Sequence, residues 1–83
     1  MGEVILVLKI LPESPEALEP LKAELQKLKP ERLEEEPIGF GLSALKFTKV
    51  IPDAGGEQEK MENAVRAVPG VGDGEVVMAS RAL

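Results

Sequence analysis

Apolar residues fill Val4-Ile5-Leu6-Val7-Leu8-Lys9-Ile10-Leu11, with Lys9 the one interruption. A run this apolar and this rich in Val, Ile and Leu suits a central strand covered on both faces. Lys9 sets the parity. Ile5, Val7 and Lys9 form the less buried face, and Val4, Leu6, Leu8 and Ile10 face the helices. Pro12-Glu13-Ser14-Pro15 then breaks the strand and starts a helix, with Ser14 as the cap and Pro15 in the first turn. Leu18, Leu21, Leu25 and Leu28 recur at helical spacing and give one apolar stripe. Pro20 has no N–H for the carbonyl of Glu16. The pattern therefore predicts a loose first turn and a regular helix from about Pro20 to Lys29, stopped by Pro30. Glu16 and Glu19 sit toward the positive end of that helix, and Lys27 and Lys29 toward the negative end.

The segment from Glu31 to Ile38 is polar and holds Glu34, Glu35 and Glu36 in succession. Pro37 cannot donate to a ladder, which assigns this strand to a sheet edge. Charges along an edge also oppose strand-to-strand aggregation. A third strand follows from Leu42 to Ile51, with Leu45, Phe47 and Ile51 on one parity and Lys46, Thr48 and Val50 on the other. Lys49 interrupts the inward set. Pro52-Asp53-Ala54-Gly55-Gly56 reads as a loop. A second helix is predicted from about Glu57 to Val68, burying Met61, Ala64, Val65 and Val68, and Pro69-Gly70 ends it. Gly70, Gly72 and Gly74 thread a turn into a last strand over Glu75 to Arg81.

The element order is β-α-β-β-α-β, two βαβ halves with one amphipathic helix each. It predicts an α+β, ferredoxin-like sandwich, a four-stranded antiparallel sheet with both helices on one face. The first and third strands are central in that arrangement, and the second and fourth are edges. The 83 residues suit one domain, 1–83, with a modest core. The scaffold alone assigns no function.

Composition removes several functions. There is no cysteine and no histidine, so disulfides, thiolate metal sites and imidazole bases are excluded. Ser14, Ser43 and Ser80 have no imidazole to activate them. Lysine-activated or carboxylate chemistry stays open, but nothing points to it, and the expectation is a protein that is not an enzyme, with no cofactor and no metal. A net charge of −5 argues against direct nucleic-acid contact. The apolar N-terminal run is too short to span a membrane and lacks a basic flank, so a cytoplasmic protein is expected. A monomer is expected too, and the sheet face bearing Ile5 and Val7 is the surface through which two chains would pair.

One segment stands apart, Glu36-Pro37-Ile38-Gly39-Phe40-Gly41-Leu42. The chain has two aromatics, Phe40 and Phe47, and one of them sits between glycines at a predicted tight turn. The residues leave two readings open. Phe40 folds back onto the core as buried aromatics do, or it is displayed to a partner.

Pro37-Ile38-Gly39-Phe40-Gly41-Leu42 with Ala44-Leu45 resembles translation elongation factor 1-beta, whose archaeal form is a stand-alone domain of about this size. The start Met1-Gly2-Glu3-Val4, then Pro12-Glu13-Ser14-Pro15, Glu35-Glu36-Pro37-Ile38 and Pro69-Gly70-Val71 agree in order and spacing, so the resemblance covers essentially the whole chain. It implies a guanine-nucleotide exchange factor for the GTPase elongation factor 1-alpha, on the fold argued above. It implies that Phe40, with Gly39 and Gly41, contacts the GTPase and is therefore exposed. Eukaryotic members push a next-to-last lysine toward the partner's Mg²⁺ and phosphate region. Here Ala82 holds that place, Leu83 follows, and Arg81 is the nearby cation. Arg81, Ala82 and Leu83 thus complete the expected partner-binding set, with solubilisation of an edge strand as the plain alternative for Arg81. Lys46, Lys49 and Glu34 to Glu36 read as surface or edge charges, with docking as their second reading. The alternatives for the whole chain are an RNA-binding module or a small-molecule regulatory module, the latter favoured only by the glycines from Gly70 to Gly74.

Overall fold

The computed structural model describes residues 2–82, with side-chain burial for 2–81, and among these residues it shows four strands and two α-helices. Strand β1 spans Glu3–Pro12 and is followed by a 3-10 turn at Pro15–Ala17 and helix α1 at Leu18–Gln26. Strands β2 (Arg32–Gly39) and β3 (Leu42–Pro52) form a hairpin, then come helix α2 (Glu57–Arg66) and strand β4 (Val71–Ala82). The sheet order is β2-β3-β1-β4, with each neighbouring pair antiparallel. This is the predicted ferredoxin-like α+β arrangement, with the two apolar strands central and the Pro37 strand at an edge.

One face of the sheet carries the core. Leu6, Leu8 and Ile10 of β1 and Leu45, Phe47 and Ile51 of β3 are buried against Leu21 and Leu25 of α1 and Val65 of α2. The parity set by Lys9 holds for these residues, and Lys9 itself is exposed. Val7 departs from it. It lies on the open face yet is only 3% exposed. Its strand is flanked on both sides, with Thr48 of β3 and Met78 of β4 opposite it.

Several boundaries move. Helix α1 begins at Leu18, two residues before the expected Pro20, and ends at Gln26 instead of Lys29. Pro20 therefore sits inside the first α-turn, where an N–H has no intrahelical acceptor and its absence costs little. The Ser14 hydroxyl makes no capping bond; its carbonyl accepts the Ala17 N–H at 3.0 Å. Helix α2 stops at Arg66, short of Val68. Strand β4 starts at Val71, four residues before Glu75, because β1 stays paired with it as far as Pro12 opposite Val71. Gly72 and Gly74 are thus strand residues. At Gly72 an added Cβ would lie 3.1 Å from the Pro12 carbonyl oxygen and the Glu13 Cα, so this glycine permits a close backbone approach.

Candidate functional site

The β2–β3 hairpin closes through two residues, Phe40 and Gly41, with φ of 54° and 73°. Positive φ at both central positions is what a type I′ turn requires, and that turn matches the twist of the flanking strands. Glycine and asparagine are the usual occupants. A phenylalanine there is a backbone outlier. Gly39 precedes it with φ 101°. A Cβ at Gly39 or Gly41 would meet no atom within 4 Å, so conformation, not space, demands these glycines. Ile38 falls out of register between the Pro37–Ser43 and Gly39–Leu42 pairs, a bulge that re-aims the end of the edge strand.

Phe40 is completely exposed, at 103% of the reference area. The open alternative, a ring folded back onto the core, is thereby excluded. Ile38 and Leu42 are each about two-fifths exposed on either side. The hairpin tip therefore presents three large apolar side chains in five residues, the kind of anchor that buried interface centres use. Ile38 and Leu42 lie in the segment that the sequence sets apart but not among the expected contact residues, although their apolar character beside the glycines is the available signal.

Arg81, Ala82 and Leu83 are not brought to this tip. Arg81 pairs with Val4 and Ala82 with Glu3, at the start of β1, and Glu3 also pairs with Pro52 at the end of β3. The hairpin tip lies at the other end of β3, whose 11 residues span about 35 Å in extended geometry. The expected partner-binding set thus divides between opposite ends of a molecule 42 Å long. Leu83 lies outside the described residues, as does the side chain of Ala82. Arg81 shares its face with Val4, which packs on the core, so it leaves the sheet on the helix side. Its Nε lies 3.2 Å from Oδ2 of Asp53, just past β3. The side chain is otherwise four-fifths exposed.

The remaining charges sort by partner. Lys49 is drawn to the helix side, where its Nζ donates to the Lys29 carbonyl at 2.8 Å and stands 3.8 Å from Glu31 Oε1. It caps the chain leaving α1, a role the surface-charge reading missed. Lys29 has φ 55°, which ends the turn after the helix in left-handed geometry and turns its carbonyl toward that ammonium. Glu35 bonds Lys22 of α1 at 3.0 Å, and Lys22 also bonds Glu19. These hydrogen bonds, Glu19 first and then Glu35, hold the Lys22 pKa above its ordinary 10.5. Glu34, Glu36 and Lys46 are exposed.

The open face carries a shallow groove of about 510 Å³, floored by Ile5, Val7 and Val50 and walled by Val77 and Met78. A bulge makes that wall. Val7 faces Met78 and Leu8 faces Val76, so Val77 is the extra residue, and adjacent side chains line the same groove. Among the described residues no cluster of three metal-ligating side chains occurs, and no helix is long and apolar enough to cross a membrane.

Comparison with known proteins bears on this geometry. Residues 5–82 match the family described as the EF-1 guanine nucleotide exchange domain. Proteins named Elongation factor 1-beta are similar over nearly their full length. That of Methanoregula boonei is 46% identical over 80 residues, 93% of this chain and 94% of its own. That of Methanosphaerula palustris is 47% identical over 79 residues, covering 92% and 93%. The Methanothermobacter thermautotrophicus protein is 41% identical over 87 residues, 98% of each chain. With its sandwich fold and its displayed aromatic turn, this chain belongs to the EF-1 guanine nucleotide exchange domain family, alongside the archaeal elongation factors 1-beta.

Proposed function

We propose that this protein accelerates GDP release from the GTPase elongation factor 1-alpha and so promotes its reloading with GTP. The observation that carries the reading is the fully exposed Phe40, held in a backbone conformation unfavourable to it. No folding term rewards that placement, and a partner pocket would. Family membership supplies the partner.

Exchange needs no bond made or broken. The factor must bind the nucleotide-free GTPase more tightly than the GDP-bound form, and by linkage GDP then binds the complex more weakly by the same factor. A factor with equal affinity for both states shifts nothing. A rigid body with contacts at both ends suits this task. In this reading Phe40, set by Gly39 and Gly41, anchors one end on the partner. The end of β4, with Arg81 and Ala82, reaches toward the Mg²⁺ and phosphates of bound GDP, and Leu83, which follows them in sequence, completes the set. A guanidinium such as that of Arg81 matches phosphate oxygens in a planar fork. Placed there, it competes with the metal for the same anionic groups. Because one hydrogen-bonded sheet joins the two ends, contact at the anchor constrains where the far end lies.

The alternatives lose their footing in the packing. RNA-binding sandwiches stack bases on aromatics of the open sheet face, whereas Phe47, the aromatic of a central strand, is buried on the helix side. The glycines that favoured a metabolite site are explained locally. A Cβ at Gly70 would touch Leu21 and Ala17, and one at Gly72 would press on Pro12 and Glu13.

Calorimetric titration against elongation factor 1-alpha, once nucleotide-free and once GDP-loaded, tests the reading. Tighter binding to the nucleotide-free form is expected. Equal affinities in the two states would remove the exchange function.

A further inference from the structure

At the C-terminal end of the sheet one acidic residue stands beside the cation assigned to the partner's phosphates. Asp53 follows Pro52 of β3, and its backbone N–H donates to the Gly2 carbonyl at 3.0 Å. This bond continues the β1–β3 ladder by one rung beyond the Glu3–Pro52 pair. The Asp53 carboxylate reaches past β1 to Arg81 of β4, with Oδ2 3.2 Å from Nε. Strands β3 and β4 are not neighbours in the sheet, so this ion pair links two elements that share no ladder. Among the described residues it is the one ion pair that includes β4.

We propose that Asp53 is a positioning residue that holds the Arg81 guanidinium in the orientation used on the GTPase; the inference rests on the exchange reading above. The carboxylate engages Nε, the guanidinium nitrogen nearest the backbone. The two terminal nitrogens lie further out on a side chain that is four-fifths exposed, and they carry four of the five donors. An arginine on the last residues of an edge strand samples many rotamers when nothing holds it. Fixing it from behind removes that loss before the partner arrives, which is preorganisation. Asp53 is suited to hold it because its own backbone is anchored at Gly2 and its side chain is one-third exposed.

A carboxylate beside a cation has a second effect of opposite sign. It lowers the positive potential that the partner's phosphates meet. If this field effect governed the site, removing the charge of Asp53 would speed exchange. Positioning predicts that it slows exchange, so the direction of the change separates the two.

The test uses the full chain and release of a fluorescent GDP analogue from elongation factor 1-alpha, measured across factor concentrations. Asp53→Asn keeps the backbone bond to Gly2, and a melting curve checks that the fold is intact. The expected result is a maximal release rate lowered about two- to fivefold, the range an exposed ion pair supports, with little change in the half-saturating factor concentration. Asp53→Glu restores part of the rate. In an Arg81→Met background Asp53→Asn has no further effect. A rate that rises or stays the same in Asp53→Asn, or a fall that persists in the Arg81→Met background, overturns the proposal. If Arg81→Met alone leaves release unchanged, the role of Arg81 falls and positioning with it. If Arg81→Met slows release but Asp53→Asn does not, the positioning role alone falls.

Discussion

Replacing Phe40 by asparagine should make this protein more stable and less active. Phe40 buries nothing within the chain, being fully exposed, and holds φ at 54°. Its removal therefore sacrifices no core contact. A left-handed conformation costs a residue with a Cβ roughly 1–2 kcal/mol, and asparagine escapes much of this through local hydrogen bonding. The net gain is about 1 kcal/mol, which for a domain of this size raises Tm by about 4–8 °C. Binding moves the other way. An aromatic anchor at an interface centre is worth about 2 kcal/mol or more, so affinity for nucleotide-free elongation factor 1-alpha falls about 30-fold or further. Phe40→Ala is the control. Alanine shares the left-handed penalty but lacks the ring, so it should lose affinity without gaining stability. Differential scanning calorimetry and titration on the three proteins separate the two effects. A lowered Tm for Phe40→Asn would show that the ring stabilises the fold after all. Unchanged affinity in both variants would refute its role as an anchor.

Three further outcomes follow from packing and charge. Gly72→Ala forces a Cβ to 3.1 Å from the Pro12 oxygen and the Glu13 Cα, both backbone atoms; it should destabilise by about 1–3 kcal/mol, as overpacking does, seen as a lower urea midpoint with unchanged slope. Lys49→Met removes the donor to the Lys29 carbonyl and should cost about 1 kcal/mol, with faster amide exchange around Lys29 and Glu31; identical exchange there would deny the cap. Lys22→Met should lower Tm at neutral pH by a small amount. The Lys22 pKa is raised by folding, so its contribution is complete below 10.5 and is lost as pH climbs through the raised value. The Tm difference between the two proteins should shrink on that alkaline side, and a constant difference would assign the effect to packing.

Much of the architecture was legible along the chain because it depends on residues with one physical meaning. The run from Val4 to Leu11 marked a central strand, although only its Leu6, Leu8 and Ile10 face is covered by helices and the other face, expected to be covered too, is open. Pro37 marked an edge. What the reading missed depends on register, which pairs residues far apart. Gly72 and Gly74 looked like a turn because close backbone approach and positive φ leave the same letter in the sequence. Val7 looked exposed by alternation, yet it is buried in a strand paired on both sides. The Val77 bulge has no local signature. Pro20 misplaced the helix start because its missing N–H matters only beyond the first turn.

The site divides in the same way. Glycines around an aromatic announced the hairpin tip without help from the fold. The partnership of Asp53 with Arg81 was not visible, since it depends on register across β1, whereas the separation of Arg81 from Phe40 was implicit in the predicted antiparallel order. Under the proposed function, that separation sets two contacts about one strand length apart, one to grip the partner and one to disturb it.

The most direct test of the account is release of a fluorescent GDP analogue from elongation factor 1-alpha, with this protein present far below the GTPase concentration. The account predicts that each factor molecule discharges many GTPases, so that the whole GDP pool is released at an accelerated rate. Release no faster than from the GTPase alone, with both proteins folded and from the same organism, would contradict it.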